Sequence, residues 1–196
     1  MKFKVVLIIG VVLAGLAAGI YFFRPHTFHG TVIHSPDPSY NFKLTSASGD
    51  VSLSDYRGKL VLVYFGYTFC PDICPATLAN VGQALRKLGD DKAGEIQTIM
   101  ISLDPERDTP EKLAEYVAHF HPSFIGITGS NETVAEVTSL YGIFYEKHDG
   151  STPENYLIDH TATLLVIDRE GYLKLVFPFG VTVDEIADDL KYMLRQ

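Results

Sequence analysis

LVLVYFGYTFCPDICPATLANVGQALRKLG, residues 60–89, passes from an unbroken apolar run through two cysteines into an amphipathic repeat. Leu60 to Gly66 is bounded by Gly58 and Gly66 and has no polar alternation, the pattern of a strand buried on both faces. Leu78, Val81, Leu85 and Leu88 then recur at i, i+3, i+7 and i+10, one face of a helix, with Gly89 placed to cap its C-terminus. Between strand and helix lie Cys70 and Cys74, the only two cysteines of the chain, each followed by proline. Proline is best tolerated at the first helical position, so the spacing predicts Pro75 there, Cys74 as N-cap and Cys70 in the loop. Both sulfurs then stand at a helix N-terminus on the carboxyl edge of a central strand, where open α/β sheets put their ligand sites.

The pattern continues on both sides. IQTIMISL, residues 96–103, reads as a second buried strand. Thr109 or Asp108 caps a helix that has Pro110 at its first position and Leu113, Val117 and Phe120 along its inner stripe. Ser130 or Asn131 opens another, with Val134, Val137, Leu140 and Tyr141 inward and Gly142 ending it. ATLLVID (162–168) and YLKLVF (172–177) flank DREG as an antiparallel hairpin. Thr182 and Glu185 form a capping box for a last helix lined by Val183, Ile186, Leu190 and Leu194. Upstream, FKL (42–44) and VSL (51–53) make a hairpin turning near Gly49, and residues 25–41 read as a tether with a short strand at Thr31 to Ile33. The order predicts an α/β domain over residues 42–196, with a mixed central sheet, flanking helices and an N-terminal β-hairpin.

Ahead of the tether, Val5 to Phe23 carries no charge, and a helix of that length reaches roughly 28 Å, about one hydrocarbon core. One transmembrane anchor over residues 1–24 is expected; a cleaved signal sequence is the competing assignment. Lys2 and Lys4 before the run, against Arg24 after it, favour a cytoplasmic N-terminus and a domain outside the cytoplasm, on the periplasmic or extracytoplasmic face. Without residues 1–24 the chain has 13 Lys+Arg against 24 Asp+Glu, a formal charge of −11. That balance opposes nucleic acid as a partner. A monomer is expected, as is a stability that rests on a core and not on disulfide staples.

Only a thiolate attacks disulfides or binds metals, and the positive end of a helix dipole favours it. Two sulfurs within one helical turn can converge on an ion or close onto each other, so residues alone allow either a redox dithiol or a metal clamp. A bridge closing so short a loop constrains the unfolded chain little, which argues against a purely structural disulfide. A metal needs a third ligand. His26, His29 and His34 lie in the tether and His119 and His121 at a helix end, and all five read as solvated or capping; His148, in EKHDG, reads as a turn residue. His160 precedes a strand near the sheet centre, and Asp159 beside it is a candidate to orient the imidazole.

YFGYTFCPDICPATL, with SLDPERDTPEKLAEYV (102–117) and DHTATLLVIDREG (159–171), resembles the Sco/SenC family of membrane-anchored copper proteins over residues 40–195. The resemblance implies a thioredoxin-like fold and copper bound by Cys70, Cys74 and His160. It also implies a role in supplying copper to, or preparing the thiols of, the dinuclear copper site on subunit II of cytochrome c oxidase. Where thioredoxins carry a cis-proline beside their cysteines, this sequence has Ala162-Thr163 with a histidine two residues before. That difference, and CxxxC in place of CxxC, favours metal ligation over peptide docking. Two thiolates and an imidazole suit copper, and three ligands leave a position open for transfer. The alternative is a thiol-disulfide reductase using the same Cys70 and Cys74. Asp104, Glu106 and Asp108 follow the second strand; the last two read as turn and cap residues, and Asp104 is a candidate for the surroundings of the site.

Overall fold

The computed structural model describes residues 26–148 and 156–196. The predicted anchor, residues 1–24, lies outside them; among the described residues no helix is long and apolar enough to cross a membrane. In chain order the elements are β1 (Thr31–Val32), the hairpin β2 (Lys43–Ser46) and β3 (Gly49–Ser52), β4 (Leu60–Gly66) and α1 (Ile73–Leu88). A short α2 (Asp90–Ala93), β5 (Ile96–Ser102), α3 (Pro110–Ala118), β6 (Ile125–Ile127) and α4 (Asn131–Leu140) follow. The chain closes with a second hairpin, β7 (Tyr145–His148) and β8 (Leu157–His160), then β9 (Leu164–Ile167), β10 (Leu173–Phe177) and α5 (Val183–Met193).

Six strands form the central sheet in the order β1-β10-β9-β4-β5-β6. β4, β5 and β6 run parallel, β9 is antiparallel to β4, and β10 and β1 continue antiparallel to the edge. The sheet is therefore mixed, as the element order predicts. Because strand side chains alternate, Leu60, Leu62 and Tyr64 of β4 pack with Leu78 and Leu85 of α1, Leu113 of α3, and Ile186 and Leu190 of α5. Val61, Val63 and Phe65 face the other way, against Phe42, Leu44, Val51 and Leu53 of the first hairpin and its 3-10 turn, and Val134 and Val137 of α4. With every residue of β4 buried, two full apolar layers fix this strand, and the loop at its end inherits that rigidity.

Three helices start where their caps require. Thr109 accepts from Lys112 N with Pro110 first in α3, Ser130 accepts from Thr133 N at α4, and Thr182 and Glu185 make the capping box of α5. The inner face of α4 differs from the predicted one: Thr138 is buried and Leu140 exposed, so the stripe follows 134, 137 and 138. The strands β6, β7 and β8 and the turn α2 have no counterpart in the periodicity, being only three or four residues long.

His26 is not solvated. Its ring stacks on Tyr192 at 4.2 Å between centroids, and its Nε2 lies 2.8 Å from the fully buried Asp189 of α5. The other oxygen of Asp189 accepts from the backbone N–H groups of His29 and Gly30, at 2.9 and 3.0 Å. The tether is thus docked from His26 onward. The partner that draws it down lies 163 residues away in the chain.

Candidate metal centre

α1 begins at Ile73 with Asp72 as N-cap, so Cys74 is not the cap that the prolines predict but stands in the first turn, followed by Pro75. The shift costs little, since none of the first four N–H groups of a helix has an intrahelical partner for proline to remove. Within that turn Cys70 Sγ accepts from Cys74 N at 3.4 Å, and Cys74 Sγ lies 3.5 Å from His160 Nε2. The two sulfurs and the imidazole nitrogen all fall within 4.8 Å of one another. Cys74 is fully buried and Cys70 half-buried, at a cleft of about 290 Å³ lined by Tyr67, Cys70, Asp72, Leu157 and His160.

Burial of Cys74 needs Gly66. A Cβ at that last residue of β4 would stand 2.8 Å from Cys74 Sγ and 2.8 Å from the Tyr64 ring. The two sulfurs divide one proton unequally. A hydrogen bond from the Cys74 thiol, reinforced by the N–H groups of Cys74 and Asp72, holds the Cys70 thiol far below the ordinary range, against the opposing effect of burial. The same bond, with burial, pushes Cys74 up. Cys70 is the sulfur that ionises more readily.

The cysteine loop is tied to the second parallel strand. Asp108, fully buried, accepts from Thr68 N at 3.0 Å, from the Thr68 hydroxyl, and from the Ser102 hydroxyl at 2.6 Å. It is not the helix cap that its place before Thr109 suggests, but a pin for residues 67–69. Glu106, by contrast, is exposed and pairs with Lys147 at 2.8 Å. Asp104 is buried but touches none of the three converging side chains: it accepts from Tyr156 OH and from Arg107, and its own N–H donates to Ser102. Arg107 in turn lies over the rings of Tyr156, Phe69 and Tyr67, at 3.5, 4.5 and 6.0 Å. Asp104 therefore braces the wall around the cleft.

His160 ends β8. The β7–β8 hairpin is separate from the main sheet, and Ile158 N donates to Tyr67 OH at 3.1 Å, joining it to the cysteine loop. Edges of Tyr64 and Tyr67 flank the imidazole, each 6.2 Å from it. Asp159 does not orient the ring, because adjacent strand residues point to opposite faces; it is exposed and pairs with His148 Nε2 at 2.9 Å. His148 accordingly belongs to β7 and not to a turn. Instead His160 Nδ1 lies 3.1 Å from Thr161 O, so Nδ1 carries the proton and the Nε2 lone pair faces Cys74. Nothing in the sequence marked Tyr67 or Asp108 for these roles; the only available signal was a polar residue beside each motif.

Residues 33–195 match the SCO1/SenC family. The chain belongs to that family. Its thioredoxin-like fold is shared with apo Sco1 of Thermus thermophilus, at a TM-score of 0.77 and 42% identity over 85% of this chain and 97% of that one. Another SCO1/SenC-type structure, Bradyrhizobium japonicum ScoI with copper bound, gives a TM-score of 0.73 at 35% identity, covering 80% of this chain and 99% of that one. A SCO2-like protein of Rickettsia prowazekii is 38% identical over 152 residues, 76% of this chain and 74% of its own length.

Proposed function

We propose that this chain is a copper metallochaperone that holds one copper ion through Cys70, Cys74 and His160. The observation that carries the proposal is the convergence of two sulfurs and one imidazole nitrogen within 4.8 Å, a donor set soft enough for copper in either oxidation state. That a relative at 35% identity holds copper supports the choice of metal. Cys70 offers a ready thiolate, Cys74 loses its proton as the ion enters, and His160 offers a neutral nitrogen. Three ligands leave room at the cleft for an incoming ligand from an acceptor. Oxidation of Cys70 and Cys74 to a disulfide withdraws both sulfurs, so the carrier holds copper only when reduced. We assign the dinuclear copper site on subunit II of cytochrome c oxidase as the acceptor, and the uncharged run of residues 5–23 as an anchor that leaves the domain outside the cytoplasm.

Anaerobic titration of the reduced protein with Cu⁺ in competition with a chelator tests this. One ion per chain is expected, weakened by roughly two orders of magnitude in His160→Ala and lost in Cys70→Ser. Undiminished binding in His160→Ala would remove the histidine from the centre.

The inequality of the two sulfurs favours a second activity, thiol-disulfide reduction. The Cys70 thiolate would attack a partner disulfide and displace one partner thiolate; Cys74 would then attack the mixed disulfide, release the second and leave Cys70 and Cys74 bridged. The lowered Cys70 pKa has a direct sign: the group stays ionised through neutral pH, so its alkylation rate is flat from pH 6 to 8. An ordinary thiol speeds up about tenfold per pH unit there. Flat labelling of Cys70, together with disulfide turnover that survives His160→Ala, supports the reductase; labelling that rises with pH removes its basis.

A further inference from the structure

We propose that the hydroxyl of Tyr64 is a hydrogen-bond donor held in reserve for the copper-bound sulfur of Cys74; this rests on the copper centre proposed above and names a residue that tunes it. Tyr64 lies on β4, two residues before Gly66, and packs in the layer that holds α1. It is 0% exposed, and its phenol oxygen has no hydrogen-bond partner among the described residues. Buried hydroxyls are nearly always paired, because an orphaned one costs folding free energy. A donor left open in this way points to an acceptor that forms only with the bound ion.

Its neighbours identify that acceptor. A Cβ placed at Gly66 would meet Cys74 Sγ and Tyr64 Cε1 at the same 2.8 Å, so the sulfur and the ring edge next to the hydroxyl flank one point. Burial first, and then the nearby Cys74, raise the pKa of that hydroxyl. The Tyr64 ring also stands nearly perpendicular to the His160 imidazole, 6.2 Å between centroids, so it borders two of the three ligands. Thr77, three residues after Cys74, directs its own hydroxyl proton to Ile73 O at 2.9 Å and offers the sulfur no donor. A sulfur that carries its proton accepts hydrogen bonds weakly, whereas bonds to an ionised acceptor are roughly twice as strong. The Tyr64 bond therefore strengthens when copper takes the place of the Cys74 proton, and an interaction stronger in the loaded state raises affinity for the ion. By drawing charge from the sulfur it also favours Cu⁺ over Cu²⁺ at the centre.

The test compares the full-length chain, reduced and in detergent, with Tyr64→Phe, which removes the hydroxyl and keeps the ring. Cu⁺ affinity in chelator competition should fall roughly tenfold, the effect of losing one hydrogen bond to a charged acceptor. The sulfur-to-copper charge-transfer band of the Cu²⁺ form should move to longer wavelength, because the sulfur regains electron density. The thermal midpoint of the metal-free variant should hold or rise, since an orphaned buried atom has gone. An affinity within about twofold of wild type, an unmoved band or a lower metal-free midpoint each overturns the proposal, the last by showing that the hydroxyl already serves the metal-free fold. Wild-type protein that takes up no copper overturns the centre and this donor together, whereas wild-type uptake matched by Tyr64→Phe overturns the donor alone.

Discussion

The two arms of the proposed copper centre are built differently. Cys74 is fully buried against Gly66 and Tyr64, on a loop that leaves the most enclosed strand of the sheet and is pinned by the buried Asp108. His160 ends a two-stranded hairpin outside the main sheet, whose partner strand β7 is mostly exposed. The hairpin meets the cysteine loop through Ile158 N and Tyr67 OH, and it rests on the braces of Asp104, Arg107 and Tyr156. The sulfurs are thus positioned by the core before any metal arrives, while the imidazole is delivered by a hairpin outside the main sheet that is packed less completely than β4.

Asp108→Ala attacks the rigid arm and should have the largest effect. It strands Thr68 N, Thr68 Oγ1 and Ser102 Oγ, and a loss of about 3 kcal/mol in denaturant unfolding is expected. A loss below about 1 kcal/mol would mean that the loop does not depend on its pin. Gly66→Ala comes next: the added methyl must displace Cys74 Sγ or Tyr64, at about 1–3 kcal/mol, and Cu⁺ affinity should fall with it in chelator competition. Tyr67→Phe cuts the link between the arms while keeping the ring. About 1 kcal/mol of stability and a few-fold of Cu⁺ affinity should go, with Cys70 alkylation unchanged; slower labelling would show that the arms are not separable. Smallest is Asp159→Asn, within about 0.5 kcal/mol and without effect on metal, since that carboxylate faces His148 and solvent. A clear loss of affinity there would return Asp159 to the imidazole.

The rigid arm was also the legible one. β4, α1, β5 and the capped helices announce themselves through uninterrupted apolar runs or 3.6-residue stripes, local patterns that a core imposes on contiguous residues. The hairpin bearing His160 did not, because YEKH and LIDH alternate weakly and are only four residues each. His160 was found by its chemistry and its place before β9. Asp108 was mistaken for a cap because a carboxylate before Thr-Pro is locally sufficient as one; its real partners, Ser102 and Thr68, come from two other segments. His26 was missed for the same reason in stronger form, its carboxylate lying 163 residues away. Position along the chain carries no trace of such pairings.

Both margins of the main sheet are short. β1 is only two residues long and lies against β10, and beyond β6 Thr128 exchanges backbone hydrogen bonds with Thr45 of the first hairpin, at 2.8 and 2.9 Å. Among the described residues, neither edge strand of the main sheet offers a long row of unpaired peptide groups on which another chain could add a strand. At the main sheet a visiting protein therefore meets side chains and loops more than backbone, which makes its contacts easy to release. Neighbouring copies meet the same short edges and gain little template for growth into fibrils.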